Sequence, residues 1–462
     1  MDGMTSVSIP PRRPVRKLVT GIIWGDEGKG KIVDDYVCLA QSFEDGRDTV
    51  VARFQGGENA GHTLYVFING KWERFVTHAA PSGIIRNTDI AIGPGVAFNP
   101  LSLIEEIKKA DRLIGGYNGR ILISNRVGIC FDYHKMIDSA RESAGKGVGS
   151  TRSGIAPFYE DVARKTTRVT FQEYLSDKFP DKLRQVLEDK KVELEAIGIN
   201  HSGMLEMLVE KHKSARQGLR GHGVDLEYRM AEYMKRGAHI IIEGAQGSGL
   251  DVDMGDIPNT TSSHLLAPNA FPSLGLKRKD FDIIGVEKIY VTRVGDGDFP
   301  TYTTDSFAEI GDLNGEFGAS TGRKRRVGYP DWVMARRNAW LNDCDGIVLT
   351  RADCVQDREM KVCVAYEVDG KVRTEVPVSL TGVKPVYSGT SYKWKLWEGH
   401  RNLADPLNEP PELTAIRADY VKNGFDGLPG AMKEFKRHHD EFVDCKTVGI
   451  SIGAKSGETI YV

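Results

Sequence analysis

Eight short runs rich in Val, Ile and Leu recur along the chain, at 18–24, 49–54, 89–92, 121–124, 239–243, 283–294, 346–350 and 448–452. Several are nearly continuous in apolar residues rather than alternating, the pattern of strands buried on both faces. Helical stretches such as 100–110 and 205–212 lie between some of them. Alternation of this kind predicts an α/β fold: a large, mostly parallel central sheet flanked by helices. The stretch 168–236 is charged, periodic and poor in strand formers, so it reads as a helical lobe. Residues 377–411, richer in proline, glycine and aromatics, read as an irregular covering segment. Residues 17–462 are expected to form a single catalytic domain behind a disordered leader, 1–16.

Composition narrows the function classes. The 62 Lys and Arg nearly balance the 64 Asp and Glu, so net charge points to neither nucleic acid nor an acidic membrane. An anionic ligand must be held by locally placed cations. The six scattered cysteines form no C-x-x-C pair, which reads as reduced thiols in a cytoplasmic protein. No apolar run approaches a membrane span, and the first sixteen residues contain no apolar secretory segment.

The predicted strands end in glycine-rich loops, and ligands of open α/β sheets collect at the carboxyl ends of strands. The first loop, GIIWGDEGKGK at 21–31, offers backbone N–H groups and the lysines Lys29 and Lys31 to an anion. It is not the standard phosphate loop, because an acidic pair, Asp26 and Glu27, lies inside it and no Ser or Thr follows the lysines. An acid there repels phosphate unless it binds a magnesium ion or takes a proton from the attacking group. The second loop, ENAGHT, places Asn59, His62 and Thr63 on a glycine turn, where an imidazole can donate to oxygens gaining charge. A separate segment, GASTGRKRRVG at 318–328, follows a Ser-Thr-Gly turn with four cations. Guanidinium forks grip carboxylates bidentately, so this loop suits a carboxylate substrate as well as a solvated face. In VLTRAD, Asp353 lies three residues past a strand-ending threonine, where it can accept from the N–H pair of a guanine while the Arg351 stem packs on the base.

These pieces, in this order, resemble the adenylosuccinate synthetase family. The matching segments are WGDEGKGKIVD, RFQGGENAGHT, GSTRSGIAPFYEDVAR, EGAQGSGLDVD with PNTTSS, TRVGDGDFPT, EFGASTGRKRR, LTRAD and ISIG, running from about residue 18 to the C-terminus. That family joins IMP to L-aspartate, giving adenylosuccinate, with GTP cleaved to GDP and phosphate. The resemblance implies a P-loop-NTPase-like architecture and a Mg2+ cofactor. It implies that Asp26 takes the N1 proton of IMP and ligates the metal, with the Gly61 carbonyl as a further ligand. The 6-oxyanion then attacks the γ-phosphate, His62 assists the leaving β-phosphate, and the aspartate amine displaces phosphate from 6-phosphoryl-IMP. Phosphorylation makes a poor leaving oxygen a good one, which is why the base is needed.

The implied IMP contacts are Asn59, Thr151, Arg164, Gln246, Thr261 and Arg323, with Arg164 reaching across a homodimer interface. Ser320, Thr321 and Arg323 fall in the aspartate-binding loop. Gly25, Gly28, Lys29, Gly30, Thr63, Arg325, Arg351, Asp353, Ser451 and Gly453 fall where GTP is held. The chain departs from the family pattern in four places. Ser150-Thr151-Arg152-Ser153-Gly154 stands for T-T-G-R-G, the E-D-x-V-A-R stretch that follows is one residue shorter, Lys324 replaces an arginine, and Arg351 replaces a lysine. Two other readings are open. A relative could ligate aspartate to another purine monophosphate such as dGMP, with ATP as donor, although an altered catalytic aspartate region would then be expected. A nucleotide-binding switch or scaffold without ligase activity should lack the basic loop and tolerate loss of His62.

Overall fold

The computed structural model describes residues 13–145, 147, 149–293, 295–317, 324–398 and 405–462. Its centre is a sheet of eleven strands. In chain order these are β1 (Arg16–Gly21), β2 (Thr49–Gly56), β3 (Asp89–Phe98), β4 (Ile121–Ser124), β5 (Gly128–Ile129), β6 (Gly223–Val224), β7 (His239–Gly247), β8 (Asp282–Lys288), β9 (Gly346–Thr350), β10 (Thr447–Ser451) and β11 (Thr459–Tyr461). Across the sheet the order is β11-β10-β9-β8-β1-β7-β2-β3-β4-β6, with β5 pairing beside β3. Every pairing is parallel except β10 with β11. Val50, Val51, Ile240, Ile241, Ile90 and Ile92 have no exposed surface, as expected of strands with helices on both faces.

All eight expected runs become strands. The run at 283–294 divides into β8 and a short strand, Val291–Arg293, that pairs antiparallel with Arg326–Gly328. The last residues of the expected leader, 1–16, belong to the folded body. Residues 1–12 lie outside the described residues, but Val15 is buried, its N–H donates to His239, and Arg16 opens β1.

Residues 168–236 carry the helices Phe171–Leu175, Phe179–Ala196, Met204–Gly218 and Leu226–Lys235. The stretch also returns to the sheet through β6. The covering segment is more regular than expected: Lys384–Tyr387 pairs with Cys363–Val368 in a three-stranded sheet. Tyr392, Trp394, Leu396 and Trp397 of that segment are buried against the core of the C-terminal half. A hairpin, His62–Ile68 with Lys71–Thr77, is not among the expected strands. Its signal was present as Asn69-Gly70, both at positive φ, the dipeptide that two-residue hairpin turns favour.

Candidate active site

The carboxyl ends of β1, β2, β7, β9 and β10 open on one cavity of about 890 Å³. Each contributes the loop that follows it, so segments as far apart as Asp26 and Gly453 line the same space. This is the position at which an open parallel sheet collects a ligand.

After β1 the chain turns through Gly25, Asp26 and Gly28, all at positive φ, and enters helix α1 (Lys29–Gln41). Aspartate is one of the few residues other than glycine that enters this region readily, so the turn accepts Asp26 where a bulkier side chain would be strained. The two acids divide the work. Glu27 is buried, and its carboxylate accepts from the N–H groups of Gly25 (2.7 Å) and Ile23 (3.3 Å) and from Lys29 Nζ (2.6 Å). It therefore shapes the loop from inside. The Asp26 side chain is 29% exposed and pairs with Arg325 Nη2 at 2.5 Å. Lys31 is committed elsewhere, donating to Ser451 Oγ (2.6 Å) and Thr459 Oγ1 (2.7 Å), which fastens α1 to the C-terminal strands.

His62 begins its hairpin strand and lines the cavity. Its Nδ1 contacts Glu243 Oε1 in the middle of β7. Arg53 Nη2 lies 3.1 Å from both Glu243 Oε1 and His62 Nδ1. Ser82 adds its N–H (2.7 Å) and hydroxyl (2.8 Å) to the same carboxylate. Burial alone would push the Glu243 carboxyl up, but the Arg53 charge and His62 outweigh it and hold the group well below the usual carboxylate range. Burial pushes the His62 imidazole down, against the opposing pull of Glu243. The imidazole is therefore neutral near pH 7, with Nδ1–H donated to the carboxylate and Nε2 as the ring's other polar atom.

Gly30 explains how His62 comes so close to the turn. A Cβ built at Gly30 would stand 2.8 Å from His62 Cβ, closer than packed carbons tolerate. Gly30→Ala should push the ring away from the turn and lower kcat by about 10²-fold. Stability should fall by about 1–3 kcal/mol, the cost of overpacking a buried contact. Steady-state kinetics beside a melting curve checks this; wild-type kcat would mean that the close approach is not needed.

Another buried carboxylate, inside the quoted segment EFGASTGRKRR but given no role there, is Glu316. It has no exposed surface and accepts from Lys288 Nζ (2.9 Å), Tyr290 Oη (2.6 Å), Arg325 Nη1 (2.7 Å) and Arg351 Nη2 (3.3 Å). Burial alone would raise its pKa, but Lys288, Arg351 and Arg325 hold it well below the usual range.

Most of the expected site residues meet at this cavity. Asn59, Gly61, Thr63, Thr151, Gln246 and Thr261 line it. Asn59 Nδ2 reaches Thr261 Oγ1 at 3.5 Å. Both side-chain amide atoms of Gln246 and Asn59 Oδ1 are buried without a protein partner, the condition of groups built to meet a ligand. Gly25, Gly28, Lys29, Gly30, Arg325, Arg351, Ser451 and Gly453 line it as well.

Two expected residues do not line it. Arg164 ends the helix Ile155–Arg164, is 55% exposed and stands 3.9 Å from Glu193. Asp353 is buried, and its carboxylate accepts from Arg417 at 2.9 Å. Ser320, Thr321 and Arg323 lie outside the described residues. Glu243 and Arg53 were within quoted motifs but had been given no role.

Comparison with known proteins agrees with this geometry. The family model described as adenylosuccinate synthetase matches residues 18–412. The adenylosuccinate synthetase of Geotalea daltonii is 36% identical over 457 residues, covering 96% of this chain and 97% of that one. That of Salinibacter ruber is 33% identical over 456 residues, covering 96% and 97%. A structure of fully ligated adenylosuccinate synthetase from Plasmodium falciparum superposes with TM-score 0.81 at 27% identity, covering 97% of this chain and 99% of that one. The succinoaminodeoxyadenylate synthetase of cyanophage S-2L, bound to dGMP and to dATP as energy donor, superposes with TM-score 0.59. It covers 97% of this chain and 96% of its own, but at 16% identity it shares only the fold. The chain belongs to the adenylosuccinate synthetase family, whose members are GTP-dependent ligases.

Proposed function

We propose that this protein joins IMP to L-aspartate with cleavage of GTP, through 6-phosphoryl-IMP, in the synthesis of AMP. The observation that carries this reading is the pairing of Asp26, held in a left-handed turn, with a carboxylate-anchored His62 on one cavity. A site that merely binds nucleotide needs neither. Asp26 takes the N1 proton of IMP, so that negative charge builds on the 6-oxygen. The glycine turn and Lys29 hold the phosphates. Arg325 pairs with Asp26 and lines the same cavity, so its guanidinium serves both the carboxylate and a phosphate oxygen.

Asn59, Thr151, Gln246 and Thr261 are assigned to IMP, and the orphaned amide atoms of Gln246 and Asn59 support that. Thr63, Arg351, Ser451 and Gly453 are assigned to GTP. Asp353 would read the guanine with the carboxylate that Arg417 orients. Ser320, Thr321 and Arg323 are assigned to aspartate.

An oxygen-only donor set, the Asp26 carboxylate and the Gly61 carbonyl on one cavity wall, fits a hard cation such as Mg2+. When bound, that ion neutralises charge on the phosphates. The exposed Arg164 suits contact with the neighbouring subunit of a homodimer. A cytoplasmic location fits the six cysteines, all free thiols. Among the described residues no helix is long and apolar enough to cross a membrane.

His62 gives this reading a pH signature. Its ring is neutral in the empty site because burial lowers its pKa. An arriving triphosphate raises that pKa, and the Nε2–H so formed donates to the leaving oxygen. A pKa that is low when free and higher when bound means proton uptake on binding near neutral pH. Titration calorimetry with GTP in buffers of different ionisation enthalpy should detect that uptake, and His62→Asn should remove it. Equal uptake in the variant would take His62 out of this role.

The function itself is tested by mixing purified protein with IMP, GTP, magnesium and L-aspartate and following adenylosuccinate by its ultraviolet spectrum. Product should require all four, and replacing GTP by ATP or IMP by dGMP should lower the rate at least about 100-fold. Faster turnover with dGMP and ATP would assign the chain to the other purine reaction.

A further inference from the structure

We propose that Glu316 is a positioning residue of the reaction, holding Arg325 so that its guanidinium is aimed at the catalytic base Asp26. The proposal rests on the function given above, since Asp26 is the base only in that reading.

The geometry is a relay of buried charges. Glu316 and Arg325 face one another across a pairing in which the Arg325 N–H donates to the Glu316 carbonyl (2.9 Å) and Phe317 pairs with Lys324. The side chains repeat that contact, Arg325 Nη1 lying 2.7 Å from Glu316 Oε2. The other terminal nitrogen, Nη2, is thereby directed at Asp26 Oδ2, 2.5 Å away. A fork held at one tine has little freedom at the other.

Glu316 is fixed in turn from below. Lys288 at the end of β8 and Tyr290 just beyond it donate to both of its oxygens. Arg351, after β9, reaches it from the side and also donates to the Asn314 carbonyl (3.1 Å). The carboxylate is thus tied to the carboxyl ends of two sheet strands. One buried anion faces three cations, all of which line the cavity. The surplus positive charge is therefore directed toward the ligand space, and toward Asp26.

A merely structural counterion would serve stability without regard to Asp26. A positioning role predicts more. Without Glu316, Arg325 loses the contact at Nη1 and no longer holds Asp26 in one orientation. The chemical step slows while the cavity walls remain.

The test compares kcat and KM for wild type, Glu316→Gln, Glu316→Asp and Arg325→Lys, with melting temperature measured for each. Wild-type turnover with IMP, GTP and aspartate is established first. An inactive wild type overturns the reaction assignment, not the relay alone. Glu316→Gln should lower kcat about 50-fold, with KM for IMP changed less than about threefold. Glu316→Asp, which keeps the charge, should recover at least about fivefold of that loss. The double variant Glu316→Gln/Arg325→Lys should be no slower than the slower single variant, because both changes break one unit.

If Glu316→Gln does not fold, the cycle of Glu316→Asp with Arg325→Lys carries the same comparison. Losses that multiply in the double variant, or equal kcat in the Asp and Gln variants, would overturn the proposal. So would a fall in melting temperature with kcat unchanged.

Discussion

Asp26→Asn should lower kcat by about a thousand- to ten-thousand-fold, the loss expected when a general base becomes an amide. KM for aspartate should change little, and the protein should stay folded. Asn keeps the volume of Asp, and like Asp it tolerates the left-handed φ of 60°. Nor does the turn depend on Asp26 for its shape, because Glu27 and Lys29 hold it from inside. Loss of turnover with an unchanged melting curve is therefore the expected pair of results. If the variant kept a tenth or more of wild-type kcat, a different group would have to take the proton.

The second large effect is at Glu243. Its side chain has no exposed surface and stands against the buried Arg53, His62 and Ser82. Glu243→Ala removes the only carboxylate in that contact set and leaves Arg53 charged and buried, at a cost of about 3–5 kcal/mol. Glu243→Gln keeps the volume, so its stability loss should be smaller. Both variants should lose about 10²–10³-fold in kcat, because His62 loses the partner that fixes its tautomer.

Urea unfolding and steady-state kinetics separate the two consequences. The pH dependence has a definite sign. A carboxylate depressed in the folded state stabilises it above the unfolded pKa near 4.3, and that contribution is lost as pH falls toward the folded value. Wild type should thus lose part of its advantage over Glu243→Gln on acidification. Wild-type kcat in Glu243→Gln would sink the assignment of His62 to an anchored imidazole.

What the sequence made legible follows from how far each signal reaches. The eight strands could be read because burial on both faces is written locally, as runs of Val, Ile and Leu. The glycine loops could be read because a strand-ending turn needs glycine within a few residues. Asp26 stood out as an acid among glycines and lysines, and the structure sets it on the cavity that the NAGHT loop also lines.

Glu243 and Glu316 could not be read in this way. Glu243 meets His62 across 181 residues, and Glu316 meets Lys288 across 28. A buried carboxylate in a sequence looks like any other acid until the fold supplies its cations. The same distance effect explains Asp353, whose partner Arg417 lies 64 residues on. It also explains Lys31, which resembles a phosphate ligand in its motif but is spent on Ser451 and Thr459.

The central claim is that the 6-oxygen of IMP becomes the nucleophile for the γ-phosphate, with Asp26 as the base. Tracing that oxygen tests it most directly. With IMP carrying a heavy oxygen isotope at C6, one turnover in the presence of GTP, magnesium and L-aspartate should release inorganic phosphate bearing that isotope. None should remain in the adenylosuccinate. The transfer follows because the phosphate displaced by the amine takes the purine oxygen with it. Mass analysis of the phosphate reads the result. Phosphate that carries oxygen from solvent instead would mean that water, not the purine oxyanion, attacks GTP, and would contradict the account.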